Sequence, residues 1–212
     1  MSTKKHNSAV IIFDCWDKHW HESENDLNAN CSKINKLIHK LRSKGYCIIH
    51  HPSDCTQKSG HDEYYYNHNN NLQNVKPVRI RLDKVIHELP NTDYLTNSQP
   101  AAPKRNWRKW SRQNKEIQIE STDYLTEDLS ELIHILKLNS IEDLYYVGYH
   151  INACLLWTRP TSIGSLRQHI NLNTYIIKDL SKALLNDTSQ LPEIYSICEK
   201  DYSTKLIESR DL

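Results

Sequence analysis

The hydrophobic positions of this chain fall into short β-branched runs separated by longer stretches with helical periodicity. The runs are Val10 to Phe13, Cys47 to His50, Ile117 to Ile119, Leu144 to Val147 and Thr174 to Ile177. Between the first two, Leu27, Ile34, Leu37, Ile38 and Leu41 recur along one helix face, and Gly45 follows as a C-terminal stop. Leu129, Leu132, Ile133 and Leu136 repeat the pattern, a further helix is predicted to begin close to Cys154, and a weaker one covers 192 to 199. Buried strands alternating with crossing helices are the signature of βαβ units. The pattern therefore predicts an α/β fold, a three-layer α/β/α sandwich of Rossmann type around a mostly parallel sheet.

Residues 52 to 115 break this rhythm. They are rich in His, Asn, Tyr, Pro and basic residues, hold one modest helical candidate at Leu82 to Leu89, and are too long for an idle connection. They are expected to form an excursion over the carboxyl edge of the sheet that helps build a pocket, with Tyr64, Tyr65 and Tyr66 in its lid. No Pro/Gly/Ser-rich linker divides the 212 residues, so one domain spanning 1 to 212 is expected.

Composition narrows the partners. With 27 basic and 26 acidic side chains the formal charge is +1, so no global field recruits nucleic acid or an anionic membrane. The apolar run Ala9 to Phe13 is too short for a membrane span or the core of a signal peptide, and a cytoplasmic protein is expected. The six cysteines show no C-x-x-C pairing and are expected to be thiols. No cofactor is predicted.

In an open parallel sheet, ligands bind beyond the carboxyl ends of the strands, where strand order reverses. Two residues fit that position. Asp14 closes the first apolar run, AVIIFD, although an acid there serves equally well as a cap or turn former. Cys154 lies six residues after Gly148 in GYHINACLLW, at a strand-loop-helix junction where unpaired N–H groups stabilise a thiolate or an oxyanion. The bland alternative for Cys154 is a buried structural thiol.

FDCWD and G-Y-H-I-N-A-C together resemble the two signature sites of the isochorismatase-like cysteine hydrolases, relatives of nicotinamidases and N-carbamoylsarcosine amidases, and the likeness extends over residues 8 to 185. Trp16 stands where the family usually has Gln, and Ile151 where it usually has Thr. WDKHW, HPSD at 51 to 54 and WSRQ at 110 to 113 indicate a divergent branch. The resemblance implies Cys154 as nucleophile and Asp14 as its acid/base partner. It also implies an oxyanion hole from the His150 and Cys154 N–H groups, and a non-proline cis peptide at Tyr149 to His150. Trp16, Trp110, Arg112 and Asn152 are expected to bind substrate.

The family's catalytic Lys has no counterpart at the matching place, where Gln118 or Glu120 falls. Lys18, His19, Arg112 and Lys115 are the substitutes in reach, and His19 stands out because an imidazole titrates near neutrality. Nicotinamidase-like members also bind a divalent ion through an Asp and two His. The residues available for that are His50, His51, Asp54 and His61, then His19, but among 12 histidines such proximity arises by chance and no metal site is assigned.

PKRNWRKWSRQNK concentrates cations and tryptophans (Lys104, Arg105, Trp107, Arg108, Lys109) and has the chemistry of a nucleic-acid surface. The WSRQ match favours a loop closing a substrate pocket instead. The expected function is hydrolysis of an amide-type C–N bond in a small molecule through a thioester. The alternatives are a catalytically impaired binding or regulatory protein on the same fold, motivated by the missing Lys, and isochorismatase-type vinyl-ether hydrolysis. A homo-oligomer, dimer or tetramer, is implied by the resemblance alone.

Overall fold

The computed structural model describes residues 6–55, 89–101 and 109–212. Tyr64, Tyr65, Tyr66, His61, Lys104, Arg105, Trp107, Arg108 and the helical candidate before Leu89 lie outside them. The elements in chain order are β1 (Ser8–Phe13), α1 (Glu24–Ser43), β2 (Cys47–His51), α2 (Thr92–Asn97), β3 (Tyr124–Leu125), α3 (Leu129–Leu138), β4 (Asp143–Gly148), a π-helix (Ile151–Thr158), α4 (Ile163–Leu166), β5 (Asn173–Ile177), α5 (Leu191–Lys200) and β6 (Thr204–Ile207).

Six strands form one sheet in the order β3-β2-β1-β4-β5-β6, and every pairing is parallel. The alternation within strands sorts the core into two halves. Val10, Ile12, Ile48 and Val147 meet the stripe of α1 formed by Leu27, Cys31, Ile34, Ile38 and Leu41. Ala9, Ile11, Phe13, Leu144 and Tyr146 face the opposite way, against α3, α5 and the π-helix. Each central strand is therefore buried on both sides, which explains why it reads as a continuous apolar run. Helices on both faces complete the three layers.

Local signals set the helix ends. Ser23 accepts the Asp26 N–H at 3.1 Å at the start of α1, Lys40 and Arg42 occupy its last turn, and Gly45 follows with φ of 85°. Asp128 caps α3 by accepting the Glu131 N–H at 3.0 Å.

Two strand expectations need correction. Residues 117 to 119 are not a strand: Ile117 packs under α1, while the Gln118 N–H donates to Asn35 Oδ1 at 3.0 Å and its side chain meets His39. The third strand is Tyr124–Leu125, held by the buried Asp123, which takes Arg42 at 2.6 Å and His50 at 3.0 Å. The edge strand β6 was not anticipated, because Thr204 and Lys205 interrupt its apolar pattern. Among the described residues no helix is long and apolar enough to cross a membrane.

Strand order turns at β1: the chain builds outward through β2 and β3 on one side, then through β4, β5 and β6 on the other. The crevice beyond the ends of β1 and β4 is the switch point. There Phe13 is the register partner of Gly148, whose φ is 131°, and a Cβ on Gly148 would lie 2.0 Å from the Phe13 carbonyl oxygen. Gly148→Ala is therefore expected to lower Tm by more than about 10 °C or to prevent soluble expression. A melting curve overlaying that of the parent protein would contradict this packing.

Candidate active site

Asp14 is the first residue beyond β1 and sits in the left-handed region, φ 49°, which an aspartate tolerates better than most side chains. It is buried at 1% exposure. The Ser53 N–H donates to Oδ1 at 2.8 Å, and His51 Nδ1 is 3.9 Å from the same oxygen. Oδ2 faces the Nε of Arg159 at 3.5 Å, and among the described residues neither atom has a hydrogen-bond partner. Burial alone would raise the Asp14 carboxyl. The Arg159 charge, with His51 and the Ser53 contact, outweighs it and holds the group below the usual carboxylate range.

Beyond β4 the chain passes through a cis peptide at Tyr149-His150, as the resemblance implied, and enters the π-helix. The Leu155 N–H, not that of Cys154, reaches the His150 carbonyl, at 3.2 Å. That i to i+5 bond is the π-turn spacing, often found at functional sites, and it leaves the Cys154 N–H outside the bond. No acceptor for the His150 N–H lies among the described residues. The Cys154 side chain is half-buried against Trp16, Cys55 and Trp110. Burial and then the charge of Asp14 push its thiol up to about 12, with Arg159 partly opposing. At rest Cys154 is a thiol.

Arg159 is the residue that sequence reasoning missed. It lies five positions after Cys154, just past the π-helix, and links three groups: Asp14 through Nε, Asp54 through Nη2 at 3.3 Å, and Cys154, whose charge state it influences. Its guanidinium also sits 5.9 Å from the centroid of the Trp16 ring. A cation expected near the third strand thus stands instead on the segment that carries Cys154. The available signal was C-L-L-W-T-R itself, a base one short helix beyond the cysteine.

Other expected site residues separate into those that join and those that do not. Trp16 and Trp110 stack at 3.8 Å and 9°, and the Trp16 indole N–H donates to Ser53 O at 3.0 Å, making a flat wall beside Cys154. His19 joins this wall, 5.8 Å from Trp16 and 4.6 Å from the His150 ring. Burial, then His150 and His21, depress its imidazole to about 3, which corrects the expectation of a group titrating near neutrality. His19 Nδ1 accepts the His21 N–H at 3.2 Å, so a neutral ring carries its proton on Nε2.

Gln118 lies exposed on the far side of α1, as described above, and is not part of the site. Arg112 is exposed and contributes only backbone, pairing with Asp17. Lys18 is exposed, 3.8 Å from Glu24, and Lys115 is exposed as well. Asn152 is fully buried and its amide is spent within the protein, donating to Ser98 Oγ and Leu184 O and accepting from the Leu184 N–H. It braces the π-helix and has no donor left for substrate.

Three of the residues considered for a metal already have protein partners, and His61 lies outside the described residues. His50 is occupied by Asp123 and Gln113, His51 by Thr161 at 2.6 Å and Ser53, and Asp54 by Arg159. No group of three suitable ligands occurs among the described residues. A pocket of about 300 Å³, lined by His51, Ser53, Asp54, Glu127, Asp128 and Arg159, opens beside the Asp14-Arg159 pair.

Comparison of the sequence with protein-family models and with curated proteins finds no match. Solved structures do match. N-carbamoylsarcosine amidase from Thermoplasma acidophilum superposes with TM-score 0.58 at 14% identity, over 97% of this chain and 98% of that one. An isochorismatase-like hydrolase from Alkaliphilus metalliredigens gives 0.54 at 13% identity, over 96% and 94%. The chain has the isochorismatase-like fold. A nicotinamidase from Acinetobacter baumanii gives 0.51 at 16% identity, over 97% of each chain. At these identities the likeness is one of fold, in agreement with the parallel sheet and its switch point.

The buried histidines make stability depend on pH with a defined sign. His19 is depressed from 6.5 to about 3 and His150 is lowered too, both chiefly by burial. Between those pH values the unfolded chain binds more protons than the folded one. Stability is therefore complete above about pH 6.5 and falls as pH drops, by up to about 1.4 kcal/mol per pH unit for each group. Urea unfolding at pH 6.5, 5.5 and 4.5 is expected to show this slope, and His19→Gln to reduce it. An unchanged slope in the variant would contradict a neutral, buried His19.

Proposed function

We propose that this protein is a hydrolase that cleaves an amide-type C–N bond of a small molecule, with Cys154 as nucleophile, Asp14 as general base and acid, and Arg159 in place of the family's lysine. The observation that carries the reading is the convergence of Asp14, Cys154 and Arg159 at the switch point of the sheet. Two of the neighbours in fold, an N-carbamoylsarcosine amidase and a nicotinamidase, act on bonds of this class, as their names state.

The charges make a consistent cycle. At rest the site holds ionised Asp14, the Arg159 cation and a neutral thiol. As substrate binds beside the Trp16-Trp110 wall, Asp14 takes the Sγ–H proton while sulfur attacks the carbonyl carbon. Negative charge passes from the carboxylate to the carbonyl oxygen, where the His150 and Cys154 N–H groups receive it. The Arg159 charge is balanced throughout. The proton on Asp14 then moves to the leaving nitrogen as the C–N bond breaks, releasing the amine and leaving a thioester. Asp14 next takes a proton from water, whose oxygen attacks the thioester, and returns it to Sγ as the C–S bond breaks, freeing the acid and the Cys154 thiol.

The alternative of a catalytically impaired binding protein rested on the lack of a cation for this cycle, and Arg159 removes that ground. Against a panel of small primary amides and N-carbamoyl compounds, Cys154→Ala and Asp14→Asn are expected to lower kcat at least about a thousandfold. Arg159→Met is expected to lower it about a hundredfold, with Arg159→Lys in between. Turnover that survives Cys154→Ala, or is indifferent to Arg159→Met, would overturn the assignment.

A further inference from the structure

His150 brings two groups to one position, a backbone N–H with no acceptor among the described residues and a buried imidazole. The ring is 2% exposed, and its Nε2 stands 3.5 Å from Glu22 Oε1. The other oxygen of that carboxylate, Oε2, takes the Lys182 ammonium at 3.1 Å. Glu22 lies just before α1, far from 150 and 182 in sequence, and its side chain is only 13% exposed. A carboxylate carried that far out of water loses hydration that its partners must replace.

Lys182 is bound to the same turn a second time, through its main chain. Its N–H donates to Gly148 O at 3.1 Å, and its carbonyl accepts the Ile151 N–H at 2.8 Å. Its neighbour Ser181 accepts the Gly148 N–H at 3.2 Å. The turn from 148 to 151 is thus gripped along its backbone by 181 and 182, while among the described residues the His150 ring makes no hydrogen bond through Nε2 and faces the Glu22 carboxylate there at 3.5 Å. Among the described residues the carboxylate of Glu22 has His150 and Lys182 as its partners. A carboxylate accepts only, so the facing charge at 3.5 Å favours the tautomer with the proton on His150 Nε2.

We propose that Glu22 and Lys182 are positioning residues for the hydrolysis: through the His150 imidazole they fix the direction in which the His150 N–H meets the oxyanion. The inference rests on the reaction assigned above. Its physical basis is that an oxyanion donor acts only when preorganised, and a ring held in place at residue 150 resists the backbone rotation there that would turn the donor away.

The effect belongs to the transition state, so it appears in kcat and not in KM. On the amide that the wild-type protein turns over best, Glu22→Ala and Lys182→Met are each expected to lower kcat about tenfold to a hundredfold with KM changed less than about twofold. Glu22→Gln, which keeps an acceptor for Nε2, is expected to restore most of the loss. In a His150→Ala background Glu22→Ala is expected to add less than about twofold, because the ring through which it acts is gone.

An undiminished Glu22→Ala loss in that background, or a loss expressed in KM, would overturn the proposal. Absence of Cys154-dependent turnover in the wild type would instead refute the hydrolase assignment. The positioning claim then stands or falls on the ¹⁵N shifts of the His150 ring: a change on Glu22→Ala supports it, and an unchanged ring signal overturns it.

Discussion

At the centre of the sheet Phe13 and Gly148 lie side by side, with no room between them for a Cβ. Everything chemical in this protein hangs on that approach. β1 and β4 are the two parallel strands between which the sheet reverses its growth, so the residue after each is delivered to the same crevice at their common carboxyl end. Asp14 arrives from one and the turn leading to Cys154 from the other. A bulkier residue at 148 would push β4 away from β1 and separate the acid from the thiol.

The crevice assembled in this way contains more negative charge than it could hold alone. Asp14 is buried, and Asp54 stands nearby at 35% side-chain exposure. Arg159 offsets both. A guanidinium suits this place because it cannot surrender its proton and presents donors in more than one direction, so one side chain reaches Asp14 and Asp54 together. The same cation opposes the rise of the Cys154 thiol without reversing it.

The strands buried on both faces, β1, β2, β4 and β5, were legible in the sequence because every position had to be apolar. Where one face is less demanding, the pattern misled: Ile117 and Ile119 alternate like a strand, yet Ile117 serves the packing of α1, and β6 hides behind Thr204 and Lys205. The strand-end positions of Asp14 and Cys154 could be anticipated from local motifs, and the cis peptide from the family resemblance. For Arg159 the only signal was a base one short helix beyond the cysteine, because its contacts with Asp14 and Asp54 come from the fold and not from a matching position. Asn152 shows the converse, a motif residue whose amide is spent on bracing the chain. His19 was expected as an acid/base group, but the structure stacks it beside the tryptophans, whose burial of its ring, with the His150 and His21 charges, depresses it, a depth that sequence does not reveal.

The hydrolysis proposed for this protein turns on a covalent step at one sulfur. Rapid quenching of the protein into acid during turnover of a slowly deacylated amide or activated ester, followed by intact-mass and peptide analysis, reads that step directly. The expected result is a single acyl increment on the peptide that contains Cys154, rising and decaying at rates that match turnover. An increment on any other residue, or steady turnover with no acylated Cys154 even when hydrolysis of the thioester is made rate-limiting, would contradict it.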